Sequence, residues 1–317
     1  MSFLSDLGIW APILTVTGIY ALLALGLQVQ VGQAGLRNFG HVASMLLGAY
    51  TMAILNSEGV PLVLSMLAAL AVAMLAAALV AIPTLRLRGD FLAIVTIALA
   101  EIVRILARTD VEAIVGRPLT NGPSGLSDRT FRSEVIKPIL DWGRDNGWDF
   151  DRSLPLLVIV WTAVLVVGLG LWALSRTPWG RVVRAVREDE DAVRALGKNA
   201  FLCKVQAMAI GAACAALAGC FFVANQVQFS PASFEPIVTF SAFTIIILGG
   251  LGSFRGAVAG AFVLQVLLER TRYIETGFTG EQEAALRYIV VGLVLMALVA
   301  FRPQGIFGKR EELVLGD

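Results

Sequence analysis

Residues 176–198 read RTPWGRVVRAVREDEDAVRALGK, and they stand between two apolar runs, Leu154–Leu174 and Ala200–Ala224. Each run is long enough to cross a bilayer as a helix. The stretch carries Arg176, Arg181, Arg184, Arg187, Arg194 and Lys198 against four acids, Glu188, Asp189, Glu190 and Asp191. Lys and Arg close to span ends are retained on the cytoplasmic side, so this loop faces the cytoplasm. It is short and amphipathic, and it ends at Gly197, the form of a helix that docks on a soluble partner.

The rest of the chain agrees with that reading. Of 317 residues, 57% are hydrophobic and only 15% charged, and the mean hydropathy is +0.78. A soluble domain averages about 25% charged residues. Repeated apolar runs of this length predict an all-α, polytopic bundle of transmembrane helices forming a single domain over residues 1–317. A β-barrel would need alternating segments of about ten residues, and none is present. The net charge of +1 gives no hint of nucleic acid. Cys203, Cys214 and Cys220 share one apolar run and form no metal-ligand pair, which reads as buried thiols. The start, MSFLSDLG, lacks the basic region of a cleaved leader, so the first apolar run is expected to stay as a span.

Nine apolar segments are expected, at about 9–31, 40–56, 61–83, 89–107, 154–174, 200–224, 239–251, 256–269 and 284–301. The seventh and eighth are short, and a re-entrant pair there would leave the rest of the orientation unaltered; about eight to nine spans are expected. Arg37, Arg86 with Arg88, the loop at about 176–199, Arg255 and the tail 302–317 with Arg302, Lys309 and Arg310 then fall on the cytoplasmic side. The N-terminus lies outside and the C-terminus inside. The turns at 57–60 and 225–238 hold only Glu58 and Glu235, and these are external. The long connection 108–153 is external too. Its seven basic residues face eight acids, and it carries Trp142, Trp148 and Phe150. A structureless loop of that length is uncommon, so it is expected to contain helix and to act as a cap or docking surface, or else to rest its aromatics at the membrane interface.

Small residues set the expected packing. Gly252, Gly256 and Gly260 repeat every four residues, as do Ala69, Ala73 and Ala77, and such spacing lets helices approach closely. The turn GGLGSFRG (249–256) makes Gly249 and Gly250 further packing candidates, and GQAGLRNFG (32–40) is a looser counterpart. Glu101 and Arg104 lie three apart in the fourth segment, on one helix face. They either line a solute path or form a structural pair near the outer end. Gln28, Gln30 and Gln33 fall near the inner end of the first segment. The single histidine, His41, reads as a packing or helix-start residue. No phosphate-binding loop, HExxH, GxSxG or CxxC occurs, and no span holds several carboxylates. Energy for uphill transport must then come from another subunit.

Several motifs in order resemble one family. GQAGLRNFGHVASMLLGAYT (32–51), RLRGDFLAIVTIALAEIVR (86–104), LTNGPSGL (119–126), RAVREDEDAVRALGKN (184–199), SPASF (230–234), LGGLGSFRG (248–256) and FRPQGIFG (301–308) are similar to stretches of LivM-type permease subunits of branched-chain amino acid ABC importers. In the external turn, Asn121 stands where the family has glycine. Importers of this class carry a Glu-Ala-Ala, three residues, Gly pattern in the coupling loop. Here the aligned positions are Asp191, Ala192, Val193 and Gly197, and the first and third depart conservatively.

The resemblance implies a permease in the bacterial inner membrane that imports Leu, Ile or Val. Its partners would be a second, LivH-like permease, two ABC ATPase subunits and an external substrate-binding protein. The chain itself would hold no cofactor and no metal; ATP and Mg would bind the ATPases. Arg187, Glu188, Asp189, Glu190, Asp191, Ala192 and Gly197 would couple to the ATPase through a helix around 187–197. The same family also offers other cargoes, such as urea, short amides or aromatic acids. A stand-alone secondary carrier would need an ion or proton site, for which only Glu101 is a candidate, and a membrane enzyme lacks any catalytic constellation.

Overall fold

The computed structural model describes residues 7–85, 89–109, 119–146, 153–270 and 305–307, with Ile289, Gly292, Leu293 and Met296. Apart from those single positions, the expected ninth segment lies outside the described residues. So do residues 1–6, Arg86, Arg88, Trp148, Phe150 and the tail beyond Phe307.

Helices stand at the other eight expected segments, with ends within a few residues of expectation. They are α1 (Leu7–Leu27, continued by a π-helical turn, Gln28–Gln33), α2 (His41–Ser57), α3 (Leu62–Thr84) and α4 (Gly89–Thr109). After the long connection come α6 (Leu154–Arg176), α9 (Ala200–Gln226), α10 (Pro236–Gly249) and α11 (Phe254–Arg270). Among the described residues, five stretches have the length and composition to cross a membrane: Trp10–Gln33, Leu62–Thr84, Leu154–Arg176, Ala200–Gln226 and Pro231–Gly249. Polar breaks punctuate the runs, and each long apolar run closes its own backbone hydrogen bonds, as lipid requires.

α9 is the hub, packed against α1, α2 and α3. Its buried face is rich in small residues, including Ala207, Gly211, Ala215 and Gly219. A Cβ on Gly48 of α2 would sit 2.5 Å from Ala216 Cα, and one on Gly219 would overlap the Met45 carbonyl. Lipid gives helices no hydrophobic reason to associate, so this backbone contact is what holds α2 to α9. α3 presents buried Ala69 and Ala73 to the bundle, while Ala77 is half-buried. α10 and α11 form a hairpin. A Cβ on Gly249 or Gly256 would overlap the other's carbonyl, and one on Gly260 would overlap the Ile245 carbonyl. Gly250 and Gly252 make the turn between them at φ +108° and +83°, where other residues are strained.

The two ends of the bundle differ. At one, the loop 177–199 lies beside Gly32–Gly35, the Gln28–Gln33 turn meets the 250–253 turn, and Ile306 and Phe307 amides bond to the Leu248 and Gly249 carbonyls at 2.9 Å each. At the other, β1 (Leu126–Ser127) pairs antiparallel with β2 (Gln228–Phe229), and Asn56 bonds to Asp128 at 2.7 Å. The described part of the long connection does contain helix, α5 (Lys137–Asp145), with Trp142 exposed. Phe131 anchors it, packed edge-on against Phe221 of α9 with centroids 6.0 Å apart.

Candidate functional site

The loop between α6 and α9 is an elbow rather than one helix. α7 (Pro178–Glu188) and α8 (Glu190–Ala195) are separated at Asp189. The resemblance implies a single helix around 187–197, and the chain has two. Asp189 is extended, at φ −150°, because its carboxylate caps the new helix by accepting from the Asp191 and Ala192 amides at 3.0 and 2.9 Å. Such a cap contributes about 1 kcal/mol. Glu190 and Asp191 fill the first turn of α8 and Arg194 its last, matching the helix dipole. Glu190 accepts from Arg194 at 2.7 Å and from Lys204 of α9, which ties the elbow to the hub.

Gly197 ends α8 at φ +72°. Its amide donates to the Arg194 carbonyl and that of Lys198 to the Val193 carbonyl, at 2.9 and 3.2 Å. This is a Schellman cap, and it favours glycine. Val186, Val193 and Ala200 form a small core beneath the elbow. Glu188, Asp191, Ala192, Leu196 and Gly197 remain exposed, Leu196 at 79%. An exposed leucine flanked by charge at the tip of a capped turn has the form of a docking knob.

Arg187 does not point outward. Its guanidinium donates to the Gly32 carbonyl, and its side chain lies against Gly35, where a Cβ would sit 3.0 Å from Arg187 Cγ. The elbow is thus bonded to the segment that joins α1 to α2. That segment is a second cluster which the sequence pointed to without resolving. Gln28 donates to the Gly250 carbonyl at 3.2 Å, Gln33 to Gly252 at 3.2 Å, and Gln30 to Met208 at 3.0 Å. Asn38 donates to Gln30 at 2.9 Å. The π-helical turn brings the three glutamines to bear, with Gln28 and Gln33 clasping the glycine turn of the α10–α11 hairpin. Their polarity was visible in sequence, but partners 178 to 222 positions away were not. His41 is buried at the start of α2, with Nε2 3.1 Å from the Leu23 carbonyl.

Glu101 and Arg104 do pair, Nε to Oε2 at 2.9 Å, with a second bond from Nη2 to Oε1. Arg104 also reaches Glu235 at 4.0 Å, so the pair joins α4 to the entry of α10. It stands at the end opposite the elbow. The packing glycines 249, 250, 252, 256 and 260 form the hairpin and its turn, and only the turn touches the glutamine cluster. Among the described residues no group of His, Cys, Asp and Glu is arranged to hold a metal. A separate apolar groove of about 940 Å³ runs between α1, α6 and α11 past Leu14, Trp161, Trp172 and Phe262.

Residues 9–299 match the family model described as the permease component of the branched-chain amino acid transport system. Over 313 residues the chain is 35% identical to the high-affinity branched-chain amino acid transport system permease protein LivM of Escherichia coli K12, covering 93% of this chain and 69% of that protein. It is 26% identical over 333 residues to the probable branched-chain amino acid transport permease protein LivM of Methanocaldococcus jannaschii, 92% and 91% of the two chains. With the LivH permease of the same Escherichia coli system it shares 26% identity over 325 residues, 94% of each. No solved structure matches.

Proposed function

The chain belongs to the permease family of branched-chain amino acid transport systems, and on that premise we propose that it is a membrane-spanning permease subunit of an ATP-driven importer for leucine, isoleucine and valine. A second, LivH-like permease completes the pathway. Two ABC ATPase subunits bind ATP and Mg, and an external binding protein delivers the solute and sets most of the specificity. The chain sits as a multi-pass protein in the bacterial inner membrane, with eight or nine crossings, the N-terminus outside and the C-terminus inside. Support for the orientation is the clustering of Arg37, the elbow and Arg255 toward one end of the bundle, against the acidic or neutral turns at the other.

The observation that carries the reading is the elbow: an exposed, capped turn whose inner side is bonded through Arg187 to Gly32. In this account α8 and Leu196 seat in a cleft of the ATPase. ATPase closure moves the elbow, Arg187 passes the motion to the α1–α2 connection, and Gln28 and Gln33 pass it to the 250–253 turn. That shift of packed elements alternates access to the pathway. Replacing Gly197 with leucine tests it. The left-handed backbone there costs a non-glycine residue about 1–2 kcal/mol, and the added side chain projects where the partner docks. The variant is expected to insert and to hydrolyse ATP while uptake is lost. Uptake at the wild-type rate would remove the elbow from the coupling path. Competition for uptake among leucine, urea, short amides and aromatic acids names the cargo.

A further inference from the structure

Two of the helices are interrupted and short. α10 has 14 residues, about 21 Å, and is entered through a tight 3-10 turn, Pro231–Phe234, and Pro236. It ends at Gly249–Gly250. α2 has 17 residues, about 25 Å, and follows the glycine-rich return Gly35–Gly40. α2 falls short of the roughly 30 Å of a bilayer's hydrocarbon core, and α10 has spanning length only together with the 3-10 turn before it. The start of α2 is deep in the bundle. His41 faces Leu23, and Gly40 meets the backbone of Thr96, about two turns inside α4.

The two interrupted helices meet there. The Val42 amide donates to Thr239 Oγ1 of α10 at 3.0 Å, and the Phe39 amide to Thr96 Oγ1 of α4 at 3.1 Å. Threonine hydroxyls thus satisfy amides that a continuous helix would satisfy itself. Non-helical backbone at this depth persists only where protein or a water-filled path covers it.

In front of this junction lies an aromatic cluster. Phe39 stacks on Phe243 with centroids 4.3 Å apart and planes 12° from parallel, and Phe240 leans on Phe39 at 5.6 Å. Phe240 is 44% exposed. The same face of α10 carries half-buried Ser241 and Thr244, and exposed Glu235 stands just ahead of the helix, beside Arg104 and Glu101. α3 shows the contrast: its exposed positions, among them Leu64, Leu67, Leu75 and Leu79, are all apolar. A helix face meant for lipid reads like α3. A face with hydroxyls and rings over a helix break does not, since polar groups in spans turn to protein or water.

We propose that the Phe240–Thr244 face of α10, with the Phe39 and Phe243 rings beside it, lines the solute pathway where this chain meets the second permease. The three rings form its apolar constriction. An amino acid with an aliphatic side chain slides its hydrocarbon along the rings while its charged groups pass the hydroxyl side. Rings at a narrow point also gate by excluding water until the path widens. The inference rests on the importer reading above and adds the identity of the pathway face.

Thiol labelling tests it in the assembled transporter, with Cys203→Ala, Cys214→Ala and Cys220→Ala as background. Phe240→Cys and Thr244→Cys are each treated with a charged methanethiosulfonate that does not enter lipid, and Leu75→Cys on α3 serves as the lipid-facing control. Only the thiolate reacts, and a thiol in hydrocarbon keeps its proton. Phe240→Cys is expected to label at least about a hundredfold faster than Leu75→Cys, at a rate that changes when vanadate traps the ATPases. Thr244→Cys reads the same face if Phe240→Cys does not assemble. Labelling of both as slow as the control in every state, from a preparation that still imports with ATP, would overturn the proposal. Import that ignores ATP would instead strike the importer reading itself.

Discussion

Replacing Arg187 with alanine removes the bond that joins the elbow to Gly32 in the proposed coupling route. The guanidinium donates to the Gly32 carbonyl, and its stem fills the space above Gly35. A charge-assisted bond of this kind contributes about 1.5–3 kcal/mol. Arg187 is half-exposed, so the lower part of that range applies. A loss near 1.5 kcal/mol is about a tenfold shift in any equilibrium the bond biases. The elbow keeps its own fold without Arg187, because the Asp189 cap, the Gly197 cap and the Val186–Val193–Ala200 core do not involve it. In reconstituted vesicles the variant should therefore hydrolyse ATP normally and import about a tenth as much solute per ATP. Arg184→Ala, which loses only a 3.1 Å bond to the Ser175 carbonyl at the end of α6, should couple normally. Equal solute-to-ATP ratios in Arg187→Ala and wild type would refute the route through Gly32.

Three other outcomes follow from the packing. Gly256→Val forces a branched side chain into the Gly249 carbonyl, an overpacking that costs about 1–3 kcal/mol or more; a lower melting temperature of the solubilised chain measures it. Asp128→Ala leaves Asn56 buried without its partner and frees the Thr130 amide, at about 1–3 kcal/mol; it should speed proteolysis of the 119–146 connection while the helices stay intact. Glu101→Gln keeps a hydrogen bond to Arg104 but no charge. An ATP-driven importer should retain its uptake and its indifference to the ion gradient, whereas loss of gradient-driven uptake would favour a secondary carrier.

Much of the fold was legible because lipid imposes simple rules. Long apolar runs, broken by Asn199, the 57–61 turn and the 249–253 glycines, marked eight helices near their true ends. The Gly197 cap was readable because a glycine after an acidic-to-basic turn has one common use. The split at Asp189 was not, since both halves are amphipathic and a capping aspartate looks like one more acid in an acidic run. The π-helical turn and the glutamine clasp were hidden for another reason: Gln28 and Gln33 find Gly250 and Gly252 only once α1 and the hairpin lie side by side. The two-residue strands at 126–127 and 228–229 are too short to leave any pattern. For the Glu101–Arg104 pair, spacing announced the contact, and only the fold added Glu235.

In the proposed cycle this chain moves a branched-chain amino acid because an ATPase moves its elbow. Uptake of labelled leucine by vesicles holding the chain, its partner permease, the ATPases and the loaded binding protein tests it most directly. Uptake should require ATP on the elbow side, persist without an ion gradient, and stop in Gly197→Leu while hydrolysis continues. Uptake that runs without ATP and collapses with the ion gradient would contradict it.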